Sequence, residues 1–336
     1  MSDVKLPPSP LPEGWSEPEV VADVVVADGV RLHRAGIASV APTGEEITGS
    51  AADESGSPAA RGFYELLERA AILEALRAKR PRYELRTLDG AVAGECSEHE
   101  LFPESDDPAR WRYARSNGVA IFDDWASAAR RARWELVERD RILRSWYGEV
   151  APRPLELDLA ATPIAATESY DWCAHAFDAP SEGETSDVKV VGVFGFPRRE
   201  GVPLVLGYGA RGTEGEALDA ATREALQLLA FLWGEPVTNE APPVGPTAMH
   251  HLERFQFAGH HGQLRRWLAG AHLAHGGVRA PQAAETQVRF VDLTPAWLAG
   301  RMFVAKAYSP ASMPLAFGDA PHAAHLPTEI RIHPIA

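Results

Sequence analysis

Ser57–Leu73, SPAARGFYELLERAAIL, returns 70 positions later as Ser127–Leu143, SAARRARWELVERDRIL, in the same order and without a gap. Nine of the seventeen positions are identical, and both copies centre on Glu-Leu-x-Glu-Arg preceded by an aromatic residue, Tyr64 or Trp134. Residues three and four apart share a helix face. Glu65, Glu68 and Arg69 therefore point one way, as do Glu135, Glu138 and Arg139. A single such motif is ordinarily a solvated face whose ion pair contributes about 0.3–0.5 kcal/mol. Solvent-facing charges gain nothing from being repeated in register with their aromatic and arginine neighbours. The pair reads instead as four carboxylates and two guanidinium groups meeting where two helices face each other.

Working outward, a third helix over Glu214–Trp233 keeps Ala221-Thr222-Arg223-Glu224-Ala225-Leu226-Gln227, with Glu and Gln three apart. Three related helices imply a chain assembled from strand–helix units, of α/β or α+β class. Helices are expected over 59–79, 125–147 (with its arginines exposed), 214–233 and 264–273. Strands are expected over 20–26, 31–40, 188–196, 203–208, 288–293 and 302–308. A hairpin around Asp89-Gly90 is expected within 83–93, and strand or turn over 116–122. The polar, Gly/Ser-containing stretch 42–58 reads as loop, and 309–336, rich in Pro and His, as an irregular tail. Five prolines in residues 1–18 predict an extended arm ahead of a single domain over 19–336.

The net charge of -14 argues against a sequence-independent grip on nucleic acid, which needs lysines and arginines to neutralise phosphates. Two cysteines, Cys96 and Cys173, make no disulfide framework. No signal peptide or membrane-length apolar run stands out, so a cytoplasmic protein with no membrane partner is expected. Mg²⁺ prefers oxygen ligands and is often shared with substrate phosphates, and guanidinium forks suit phosphate oxygens. The constellation thus suits a nucleoside triphosphate with Mg²⁺. No GxxxxGK[ST] is present, which excludes a P-loop. The histidines of 249–275 offer a metal site as a weaker reading, without an HExxH. Trp111, Trp125, Trp134 and Trp146 read as core, and no GxSxG supports serine catalysis.

Ser116-Asn117-Gly118-Val119-Ala120 followed by Glu135-Leu136-Val137-Glu138-Arg139-Asp140 resembles the SNGxA turn and ExxERD helix of the YcaO superfamily. The earlier ELLER helix is similar to the family's first ExxER helix. Gly207-Tyr208-Gly209-Ala210 with Glu224 and Gln227 resembles its third unit. Val291-Asp292-Leu293-Thr294, Val304–Pro310 and Met313–Gly318 resemble its closing motifs. The resemblance implies a YcaO-like fold of repeated strand–helix units around a central ATP/Mg²⁺ cleft. It implies Mg²⁺ on Glu65, Glu68, Glu135 and Glu138, with Arg139 on phosphate. Arg69, Ser116, Asn117, Glu224 and Gln227 complete the implied cofactor site, and Glu135, Glu138 and Arg139 its catalytic core.

The implied activity is that of an ATP-dependent cyclodehydratase. It would form thiazoline or oxazoline from Cys, Ser or Thr of a ribosomal precursor peptide by phosphorylating the backbone amide oxygen. Thioamide or amidine synthesis is the alternative outcome, and a non-catalytic scaffold subunit of a peptide-modifying complex the alternative class. Three departures bear on the scaffold reading: Ser127 stands where relatives carry an acidic residue, Gly49–Ala52 stands in place of a GKG turn, and the tail keeps a single terminal proline motif at Pro334. No leader-peptide-binding domain is evident. The expected partners are therefore a separate leader-peptide-binding, E1-like protein and a flavin-dependent dehydrogenase, in a homodimer or hetero-complex.

Overall fold

The computed structural model describes residues 6–103, 115–158, 162–179, 187–243, 245, 247–275, 288–318 and 323–336. Trp111 lies outside them. In chain order the elements are β1 (Glu19–Ala27), β2 (Val30–Val40), β3 (Glu46–Asp53), α1 (Ala59–Ala78), β4 (Arg82–Arg86), β5 (Val92–Ser97), α2 (Glu98–Leu101), β6 (Val119–Phe122) and α3 (Trp125–Trp146). There follow β7 (Arg153–Leu155), β8 (Tyr170–Ala176), β9 (Lys189–Pro197), β10 (Val205–Arg211), α4 (Glu214–Leu232), α5 (Ala248–Gln256), α6 (His261–Leu268), β11 (Arg289–Asp292), β12 (Phe303–Tyr308) and α7 (Thr328–Arg331).

Among the described residues the strands form three antiparallel sheets, ordered β1-β2-β3, β10-β9-β8-β7 and β5-β4-β11-β12-β6. Each long helix follows the strand it covers. α1 packs on β3, α3 on β6 and β12, and α4 on β10. The repeat read in the sequence is thus a repeat of strand–helix units. Glycine permits the close seating. A Cβ at Gly49 would overlap the Gly62 carbonyl of α1, and one at Gly207 the Ala221 carbonyl of α4. α3 is capped by Asp124, which accepts from the Ser127 amide, and α4 by Thr213, which accepts from the Glu216 amide. These caps satisfy amides that no helical carbonyl can reach.

Four expectations are corrected. Residues 46–53 form β3 rather than loop. The arginines of α3 are not all exposed: Arg141 and Arg144 are buried, Arg144 between Asp140 and Glu149 at 2.8 Å each. The helix placed at 264–273 runs instead over His261–Leu268, with a short 3-10 turn after it. The tail, read as irregular, contains the short helix α7 and is held inside, with Ile330, Ile332, His333 and Ile335 buried. Trp146, 0% exposed, stacks edge-on with Phe255 and Trp267 at the centre of the largest core cluster. Among the described residues no helix is long and apolar enough to cross a membrane.

Candidate active site

The glutamates of all three units open on one cleft of about 870 Å³. Glu65 and Glu68 come from α1, Glu135 and Glu138 from α3, and Glu224 and Gln227 from α4. The first glutamate of each unit is held by a backbone amide of its own unit. The Ser50 amide donates to Glu65 Oε2 at 2.8 Å and the Tyr208 amide to Glu224 Oε2 at 2.8 Å. The Gly118 amide donates to Glu135. Arg69 pairs with Glu65 at 2.6 Å and Arg139 with Glu135 at 2.8 Å, each four residues along its helix. Ser116, Asn117, Arg69 and Arg139 do not themselves line the cleft, and the two arginines bear on it through their pairing with Glu65 and Glu135. The turn of Ser116 and Asn117 contributes through the Gly118 amide, and Ser127 sits in the first turn of α3 with its amide on Asp124.

These carboxylates face the cleft on one side and protein on every other. Burial, then Glu135 and Glu65, raises the Glu68 carboxyl well above the ordinary range. Burial, then Glu224, pushes Glu138 up to about 8. Burial also raises Glu224 and Glu135, the latter against the pull of Arg139 and Lys306. Burial opposes the charge of Arg139, yet the surrounding Glu135, Glu138, Glu224 and Glu68 keep it protonated above its usual value. Where these carboxylates meet, negative charge is in excess, and an all-oxygen donor set of this kind suits Mg²⁺. As the side chains stand, no three His, Cys, Asp or Glu among the described residues enclose an ion. Mg²⁺ does not require such a cage, because it commonly takes one or two carboxylates together with phosphates and waters.

Sequence reading missed the basic wall of the cleft. Arg61, Arg131, Arg211 and Arg223 all line it. Arg61 is neutralised by Asp53 at 2.8 Å. Arg131 lies over the Phe122 ring, 4.5 Å from its centre, and Arg211 over Trp134 at 5.1 Å. Burial lowers the Arg211 pKa, and Arg131 and Arg223 lower it further against the pull of Glu138. A signal existed for two of these residues: Arg61 and Arg131 occupy the same place in the repeat. Also missed was Lys306, buried on β12, whose Nζ donates to the carbonyls of Asn117 at 2.7 Å and Arg115 at 3.1 Å. It clamps the turn that holds Glu135, and burial lowers its pKa to about 8.

The histidine stretch does not gather. His251 Nδ1 bonds to the His333 carbonyl at 2.9 Å and its Nε2 accepts from the Gly318 amide at 2.9 Å. His260 and His261 bond to the carbonyls of Arg254 and Phe255, and His272 to that of Trp146. These rings tie loops and tail to the core.

The structure is similar to that of YcaO from Methanopyrus kandleri bound with AMPPCP and Mg²⁺, with TM-score 0.58, 19% identity, and 90% and 89% of the two chains covered. It is similar to a heterocyclase in complex with substrate and cofactor, with TM-score 0.58 and 16% identity over 96% of this chain, which spans about half (54%) of that one. The E. coli microcin synthetase McbBCD complex with pro-MccB17 bound gives TM-score 0.57 at 10% identity, covering 87% of each chain. Among curated proteins none matches. The family described as YcaO cyclodehydratase, ATP- and Mg²⁺-binding, matches residues 96–297. That match takes in well over half of the sequence, α3 and α4 included, and the chain belongs to the YcaO family.

Proposed function

We propose that this chain uses ATP and Mg²⁺ to activate a backbone amide of a ribosomal precursor peptide, forming azoline rings from Cys, Ser or Thr. The observation that carries the reading is the convergence of five carboxylates from three helices with a wall of arginines in one cleft. Bound there, Mg·ATP supplies the phosphoryl group that turns an amide oxygen into a leaving group. Glu65, Glu68, Glu135, Glu138 and Glu224 are the carboxylates from which Mg²⁺ would take one or two directly, the others facing it through water. Arg139, with Arg131, Arg211 and Arg223 on the wall, balances the phosphate charge, and Gln227 offers a neutral amide beside them. Such chemistry asks the protein for positioning and charge stabilisation rather than a covalent intermediate. The cleft supplies both, because each first glutamate is fixed by a backbone amide before any ligand arrives.

The substrate is delivered by a separate leader-peptide-binding protein, a reading supported by the peptide-bound, multi-subunit assembly of the McbBCD neighbour. The test combines purified protein, a candidate precursor and Mg·ATP, with and without candidate partners, and reads peptide mass. Loss of one water per ring supports azoline formation. A sulfur-for-oxygen mass gain assigns thioamide synthesis instead. No calorimetric heat with millimolar Mg·ATP would refute catalysis and leave a scaffold subunit.

A further inference from the structure

Among the described residues β6 closes its sheet, with a strand neighbour on one side only. Its register with β12 places Val119 opposite Lys306, Ala120 opposite Ala305, Ile121 opposite Val304 and Phe122 opposite Phe303. The Ala307 amide donates to the Gly118 carbonyl at 2.7 Å, in the same register. In an antiparallel pair, residues alternate between spending their backbone groups on the neighbour and turning them away. Gly118, Ala120 and Phe122 therefore face β12, while Val119 and Ile121 turn theirs to the opposite edge. The Val119 amide is used inside the turn, on the Ser116 carbonyl at 3.1 Å. Among the described residues, the Val119 carbonyl and both backbone groups of Ile121 find no partner on that edge.

That edge opens on the cleft, since residues 119–123 line the same cavity as the glutamates. Val119 and Ile121 pack toward Phe63, Leu66 and Leu67 of α1. Ala120 and Phe122 pack toward Ala128, Ala129 and Ala132 of α3. The free edge thus runs between the two helices that carry Glu65, Glu68, Glu135 and Glu138. The cavity, about 870 Å³, is near the top of the range of roughly 300–1,000 Å³ typical of ligand sites. It has room for a second ligand beside a nucleotide.

We propose that an extended segment of the peptide substrate adds to β6 as a further strand, pairing with the Ile121 amide and carbonyl and presenting its backbone between α1 and α3. This inference rests on the function proposed above and supplies what that reading lacks, the means by which a backbone is held for chemistry on the backbone itself. Strand addition draws affinity from main-chain hydrogen bonds and leaves side chains to alternate between flanking pockets. It tolerates varied sequence, as an enzyme acting at several positions of one peptide requires.

The test is amide hydrogen exchange on the full chain with a pool of N-acetylated decapeptides carrying central Gly-Cys, Gly-Ser or Gly-Thr, at millimolar total concentration. The pool should protect the Ile121 amide, and Mg·ATP alone should not. Ile121→Pro removes that N–H at an edge position where proline is tolerated. It should weaken binding of the pool about fivefold, one hydrogen bond's worth, whereas Ile121→Val should bind as the parent does. A pool that leaves 119–122 unprotected, or protection by Mg·ATP alone, overturns the proposal. Should the parent fail to bind Mg·ATP at all, the proposed function falls, while protection of Ile121 by the pool would still uphold the strand pairing.

Discussion

Glu138→Gln isolates the electrostatic cost of the cleft. Burial and then Glu224 raise the Glu138 carboxyl from 4.5 to about 8. A group whose folded pKa exceeds its unfolded value contributes stability that is complete below the unfolded pKa and lost as pH rises through the folded one. For Glu138 that window runs from about 4.5 to about 8. One unit corresponds to about 1.4 kcal/mol, which sets an upper bound of ~5 kcal/mol over the window. Water in the cleft screens the charge and reduces this to roughly 2–3 kcal/mol. Glutamine keeps the shape and does not ionise. Without divalent metal, the variant should therefore melt about 4–8 °C above the parent at alkaline pH and level with it near pH 5. Scanning calorimetry in chelator, repeated across the pH range, measures the gap. Saturating Mg²⁺ should narrow it by neutralising the parent's carboxylates. A variant that melts at or below the parent at alkaline pH, or a gap equally wide near pH 5, would refute the reasoning.

Two further substitutions probe the frame around the site. Arg144→Leu strands Asp140 and Glu149 without their shared cation; breaking a buried pair in this way costs about 3–5 kcal/mol, read by thermal unfolding, and a loss below 1 kcal/mol would contradict the burial argument. Gly207→Ala drives a methyl into the Ala221 carbonyl and the Ala225 amide of α4, whereas a Cβ at Gly36 meets nothing within 4 Å. The first should cost about 1–3 kcal/mol and weaken Mg·ATP binding by displacing Glu224, and Gly36→Ala, as control, should do neither.

The charged repeat was legible because its spacing is helical and its two copies are in register, so both the faces and their meeting could be read before any coordinates. β3 was not legible, and the reason is physical. Residues 46–53, EITGSAAD, are small and polar enough to resemble a loop, yet those same small residues let α1 lie directly on the strand. The burial of Arg144 could not be seen locally, since it donates to Ala311 and its partner Asp140 accepts from Met313, far along the chain. The tail misled for a similar reason. Its prolines leave room for no more than the single turn of α7, and it is kept inside by distant contacts from Tyr208 and Trp146. Arg211 and Arg223 carry no mark in the sequence; only the packing of α4 on β10 against α3 makes them neighbours of Arg131.

The pinning of Glu65, Glu135 and Glu224 by Ser50, Gly118 and Tyr208 bears on how the molecule coheres. At each of the three sheets a backbone amide of a strand, or of the turn leading into it, holds one helical acid in a place where like charges would otherwise push the units apart. An occupant that satisfies those acids is thus a keystone as well as a reactant, and loading the site and fastening the three sheets together are a single event.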